Sequence, residues 1–135
     1  MNYTENYQLP QWEKTDRIMM EDFNDSNQKI EVALSEKSCV ICGTYTGNGA
    51  AEREINLGGR PKAVLVGVMN ASGVNSGYNI YNAVAGDGWN QTFMNSYIPL
   101  TVTDNGFKVV YRLIPESYGI YLNSVNSSFY YIAIM

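Results

Sequence analysis

The sequence has 135 residues, 45% of them hydrophobic, with 11 Tyr, no His and a formal net charge of −4. That length supports one domain with a real core plus an appendage, not two full domains. Lack of His removes imidazole general-base catalysis, His-held metals and the usual pH switch, and there is no basic patch to hold nucleic acid.

The charge divides the chain. Residues 1–37 hold four Lys/Arg against eight Asp/Glu, and residues 38–135 hold five against five. We therefore expect an acidic N-terminal helical segment, 1–37, followed by a neutral, Tyr-rich domain, 38–135, suited to uncharged surfaces. Residues 1–12 have neither a basic n-region nor an apolar run, and no stretch approaches the ~18 apolar residues of a membrane span. The expectation is a chain without a signal peptide or membrane insertion, made in the cytosol and kept there until release. Asn-x-Ser/Thr triplets at Asn2, Asn24, Asn70, Asn90 and Asn126 then read as by-products of an Asn- and Ser-rich sequence.

Residues 1–8 are polar and read as extended. Pro10 restricts Leu9 to extended geometry, so a helix is expected just after it, closing at Lys37 and Ser38. Thr15 or Asp16 would cap a later start, and Glu21 and Asp22 suit the positive end of the helix dipole. Trp12 reads as an apolar plug. Met20, Phe23, Asn27, Ile30 and Leu34 recur at spacings of three, four, three and four, the period of a coiled-coil seam. An isolated helix of this length is marginal in water, so the stripe needs a partner. The partner is either another copy of the helix, with Asn27 fixing register and copy number, or the chain's own second domain; the seam spacing points to the first.

From Ser38 onward, short runs of Val, Ile, Tyr and Thr alternate with Gly, Asn, Asp and Pro. Candidate strands are 39–45, 52–57, 63–69, 78–84, 100–103, 107–113, 119–122 and 129–134. Turn signals every 8 to 12 residues predict an antiparallel β-sandwich or barrel. Gly47-Asn48-Gly49 and Asp104-Asn105-Gly106 read as hairpin turns, and Gly58-Gly59-Arg60-Pro61 as a sharper change of direction. Residues 62–69 are nearly continuous in apolar side chains, which predicts a central strand buried on both faces. Residues 107–113 alternate imperfectly, so one of their faces should be wet. The run 129–134 ends the chain inside a strand, which suggests a tied-down terminus.

Cys39-Val-Ile-Cys42 has redox or zinc spacing, but in a strand these residues lie ~10 Å apart on opposite faces, beyond disulfide reach. Two free, partly buried thiols are expected. Without His, a Ser or Thr nucleophile would need Lys62 or Lys108, both in strand-like, solvated settings. Glu52, Glu54, Asp87, Asp104 and Glu116 are the carboxylates available for glycoside hydrolysis, and none forms a positioned pair in the sequence. No enzyme activity, metal or cofactor is expected. Residues 70–98 mix Asn, Ser and Gly with aromatics, a composition suited to recognition. Trp89, flanked by Asp87 and Asn90, is the candidate platform for a sugar ring, with Tyr78 and Tyr97 beside it. The same aromatics would equally fill a core or a contact between chains, the better reading for Tyr78 and Tyr81, whose alternation is strand-like.

The opening LPQWEKTDRIMMEDFNDSNQKIEVAL, through Trp12, Asp16, Asp22, Phe23 and Asn24, resembles the N-terminal segment of tail-fibre and baseplate-associated proteins of phages, prophages and phage-tail-like particles of Gram-positive bacteria. GTYTGNG at 43–49, INLGGRPKAVLV at 55–66, DNGFKV at 104–109 and YYIAI at 130–134 are similar to the small β-domain that often follows. The sequence departs from that pattern at Gly59-Arg60, where relatives have Gly-Phe. The resemblance covers most of the chain outside 70–98 and rests on structural motifs, not chemical ones. It implies a homotrimeric distal tail component of the virion or particle, docking on other tail or baseplate proteins and presenting β-domains toward a host-surface glycan. It brings no catalytic residues. A purely structural adaptor or cap without receptor binding is the alternative, and a free lectin-like module a third class.

Overall fold

The computed structural model describes residues 1–70, 79–114 and 118–135. It is mainly β, with one helix, and divides into two units, Met1–Ser38 and Cys39–Met135.

In the first unit, strands β1 (Asn2–Tyr3) and β2 (Pro10–Gln11) pair antiparallel, and helix α1 spans Met20–Ser35. The helix therefore starts well after Pro10. Pro10, which lacks an N–H to donate, sits in the short ladder, and the chain then turns at Asp16, whose carboxylate accepts from the Glu13 N–H at 2.8 Å. That hydrogen bond, and next the nearby N-terminal ammonium, hold the Asp16 carboxyl below its ordinary pKa. Neither Thr15 nor Asp16 caps α1. Met19 occupies the N-cap, and Asp22, three residues on, accepts from the Met19 N–H at 3.1 Å. Glu21 and Asp22 stand in the first turn, where the dipole favours anions, and Glu36 is the C-cap.

The second unit contains β3 (Val40–Thr46), β4 (Glu52–Asn56), β5 (Ala63–Asn70), β6 (Asn79–Ile80), β7 (Ala83–Gly86), β8 (Trp89–Asn90), β9 (Leu100–Val102), β10 (Gly106–Ile114), β11 (Tyr118–Tyr121) and β12 (Ser128–Ile134). Each of the eight expected strand regions contains a strand, and the region 78–84 contributes two short ones. One five-stranded sheet runs β3-β12-β5-β7-β8, antiparallel throughout. The other runs β4-β10-β11-β6, with β9 also paired to β10; its β11–β6 pair is parallel.

The sheets share one core. Val64, Val66, Ala85, Phe129 and Ala133 from the first sheet and Leu100, Phe107, Val109 and Ile120 from the second are at most 2% exposed. Tyr45 stacks on Phe129 of the adjacent strand with centroids 5.0 Å apart, while Phe107 of the second sheet meets Tyr131 edge-on at 5.2 Å and Tyr45 at 6.4 Å, and these last two contacts join the sheets. The wet face expected for β10 carries Lys108, ion-paired to Glu52 of the adjacent β4 at 3.2 Å.

Two expectations are corrected. Gly47-Asn48-Gly49 does not close a hairpin, because β3 and β4 belong to different sheets. The loop is held from across the molecule: Gly47 N–H donates to the Ser127 carbonyl and Gly49 N–H to that of Asn123, both at 2.9 Å. The fully buried Asn123 donates its amide to Asn48 Oδ1 at 2.6 Å and to the Ala50 carbonyl at 2.9 Å, while its Oδ1 accepts from the Asn48 N–H at 3.2 Å. A Cβ at Gly47 would fall 2.0 Å from the Ser124 carbonyl oxygen, so only Gly permits this approach. The second correction concerns β5, which is central in its sheet but buried on one face only: Val64 and Val66 point inward, and Leu65 is 39% exposed.

Candidate functional site

The turn residues Asp87 and Gly88 connect β7 to β8 as a tight hairpin, with Gly88 at φ +80°. Asp-Gly at the tip of a two-residue connection is a strong hairpin signal, and it places Asp87, Trp89 and Asn90 together. Trp89 does not stand off a loop. Its indole lies over Gly86 of the paired strand, where a Cβ would sit 2.1 Å from the indole nitrogen, so one ring face rests on the sheet and half of the side chain remains exposed.

The Asp87 carboxylate is engaged. Its Oδ1 accepts from Arg60 Nη2 at 2.7 Å and Nε at 3.0 Å, and Arg60 Nη1 reaches Asp104 Oδ1 at 3.0 Å. The Asp87 hydrogen bond, more than Asp104, raises the Arg60 guanidinium above its ordinary pKa. Arg60 thus ties the β4–β5 connection to two other turns. Its ion pairs are open to solvent, where they order loops more than they stabilise the fold.

Tyr97 lies elsewhere. It closes a turn with Phe93, is half-buried against the core, and carries the Arg112 guanidinium 4.9 Å from its ring centroid. That setting matches the packing role weighed for it in the sequence. Tyr81 stacks on Tyr121 at 5.1 Å. Tyr78 and Glu116 lie outside the described residues.

The second candidate site is the α1 stripe. Met20, Phe23, Ile30 and Leu34 are 72%, 51%, 42% and 63% exposed, and Asn27 is exposed between them. Trp12, expected to act as a plug, stacks on Phe23 at 6.3 Å within its own unit. Lys29 bonds the Gln8 carbonyl at 3.2 Å, and a loosely filled gap of about 230 Å³ opens among Tyr7, Leu9, Ile30 and Leu34. No residue of α1 is buried.

Cys39 and Cys42 are free, but both are exposed, not partly buried. The strand pleat explains Cys42, which stands on the outer face opposite the inward Tyr45. Among the described residues, no group of three His, Cys, Asp or Glu is placed to hold a metal ion, and no helix is long and apolar enough to cross a membrane. Sequence reasoning missed the outward apolar residues of the first sheet, Val84, Tyr130, Ile132 and Ile134. Their signal was present in the apolar runs at 63–69 and 129–134, of which only the first reads as covered on both faces. No family model, curated protein or solved structure matches this chain.

Proposed function

We propose that the chain is a non-enzymatic component of a phage tail or phage-tail-like particle, a homotrimeric fibre or receptor-binding protein whose N-terminal unit trimerises or docks and whose two sheets form a sandwich presented to the host surface. The observation that carries this reading is the N-terminal unit itself. The 38 residues of Met1–Ser38 contain no buried residue, and the only helix among the described residues carries a stripe whose apolar members stay 42–72% exposed even with Trp12 stacked on Phe23. Units below about 40 residues usually depend on a disulfide, a metal or a partner for stability. Asn27 in the middle of the stripe supplies the polar contact that sets strand number in such seams. The tail assignment rests on the sequence resemblance.

The engaged Asp87 favours the second reading, an adaptor without a receptor of its own, because a carboxylate held by Arg60 has fewer acceptor sites for sugar hydroxyls. Light scattering tests the assembly: a mass near three times 15.1 kDa supports it, and a stable monomer at micromolar concentration refutes it. Trp89→Ala then separates the readings, since lost adsorption to host cells with assembly intact supports receptor binding and unchanged adsorption supports the adaptor. Tyr97→Ala serves as the companion variant, with its packing role controlled by a thermal melt.

A further inference from the structure

The outer face of the β3-β12-β5-β7-β8 sheet is built in apolar rows. Register places Val40, Ile134 and Ala63 side by side on adjacent strands, and beside them Cys42, Ile132, Leu65 and Val84. Neither row contains a charge. The next row begins to turn polar, with Thr44 beside Tyr130, whose ring lies over Gly67. Val40, Leu65, Val84, Ile132 and Ile134 are 37–61% exposed, and a shallow depression of about 260 Å³ opens between Leu65, Val84, Trp89 and Ile132. The corresponding face of the other sheet is ordinary, with Glu52, Glu54 and Lys108 outward. An antiparallel sheet that meets water on one side alternates apolar and polar residues. This one does not.

We propose that this face is an interface between copies of this chain, the apolar rows of one copy packing on another copy around the symmetry axis. The exposed apolar side chains amount to on the order of 500 Å², in the upper part of the range for a monomer's largest patch, where such patches are often functional, and this suits the apolar centre of an interface burying about 800 Å² per partner. Width selects the occupant. Four strands ~4.8 Å apart present a strip wider than one helix of ~10 Å diameter can cover, so the stripe of α1 would leave much of it wet, whereas the same sheet from the other copies, meeting it at the axis, covers it. The absence of charge from both rows means that like faces meet without repulsion. The proposal rests on the self-association put forward above and adds to the helix stripe a second surface for it.

Cys42 reports on the face without mutation, because it stands in the second row while Cys39 precedes the strand. Alkylation of the full chain, resolved by mass spectrometry and run beside light scattering, should show an oligomer in which Cys42 reacts at least tenfold more slowly than Cys39. Ile132→Lys, outward and exposed, should lower the mass and restore Cys42 reactivity while the circular dichroism spectrum is unchanged; Val84→Lys is the second variant should the first misfold. An oligomer whose Cys42 reacts as fast as Cys39 overturns the proposal and leaves the trimer reading standing. A monomer with reactive Cys42 overturns both. A monomer with protected Cys42 also overturns both, and assigns the face to the chain's own helix.

Discussion

Asn123 offers the sharpest test of the fold, because a fully buried amide here replaces the hairpin that the Gly47-Asn48-Gly49 sequence suggests. Asn123→Ala removes three hydrogen bonds, two donated and one accepted, and strands part-buried groups of Asn48 and Ala50. At roughly 1 kcal/mol for each bond lost, with some water entering the gap, the cost is about 2–4 kcal/mol. For a unit of this size each kcal/mol moves Tm by about 4–8 °C, so the thermal melt of the full chain should fall by at least about 10 °C. Asn123→Asp keeps the shape and the acceptor for Asn48 but points a carboxylate oxygen at Asn48 Oδ1 and the Ala50 carbonyl. Protonated, it donates to one of them; ionised, it repels both, so its pKa in the folded chain rises above the unfolded value of about 3.9. The sign follows: relative to wild type, the variant is most stable below about pH 4 and loses stability as pH rises through its folded pKa. Circular dichroism melts of both variants between pH 4 and pH 8 check this. An Ala variant melting within 2 °C of wild type, or an Asp variant whose deficit does not grow with pH, would refute the reasoning.

Two further outcomes follow from the core. Tyr45 is buried and donates its hydroxyl to the Leu122 carbonyl at 2.5 Å; burial pushes the phenol pKa up, with the Arg53 charge opposing weakly. Its neutral form therefore stabilises the fold fully below the unfolded pKa of about 10, and that contribution declines above it. Denaturation by urea between pH 8 and pH 11 should show a fall that Tyr45→Phe reduces, at about 1 kcal/mol lower stability near pH 8; an unchanged slope in the variant counts against it. Gly47→Ala should cost at least about 2 kcal/mol, because the added Cβ meets a backbone carbonyl that cannot swing aside, and a urea midpoint equal to wild type would show that the loop yields.

The strand content was legible because Gly, Asn and Pro punctuation sits at the element ends, and the central place of 63–69 followed from its apolar run. The start of α1 was not, since residues 12–19 carry helix-compatible side chains and only the Asp16 and Asp22 bonds to backbone decide where the helix begins. The loop after β3 misled for a related reason. Its glycines signal a tight turn, but the partner that sets its direction, Asn123, lies 75 residues away in sequence. At the candidate ligand site, the Trp89 neighbourhood was visible as composition, whereas its flat seat on Gly86 and the capture of Asp87 by Arg60 depend on pairings that no local pattern records. The outer face was hidden differently: a strand apolar in both phases reads as buried on both faces, whereas here Leu65, Ile132 and Ile134 stand exposed on one of them.

The order β3-β12-β5 has a consequence for biosynthesis. The strand that joins β3 to β5 follows both of them in the sequence, so during translation β3 and β5 wait with open edges and no neighbour between them. Their pairing spans nearly the whole unit, and such distant contacts form slowly because the loop must close before any ladder bond compensates. A ribosome-bound fragment stopped short of Ser128 holds β3 apart from the β5-β7-β8 ribbon, so the outer face of this sheet is complete only once β12 has left the exit tunnel.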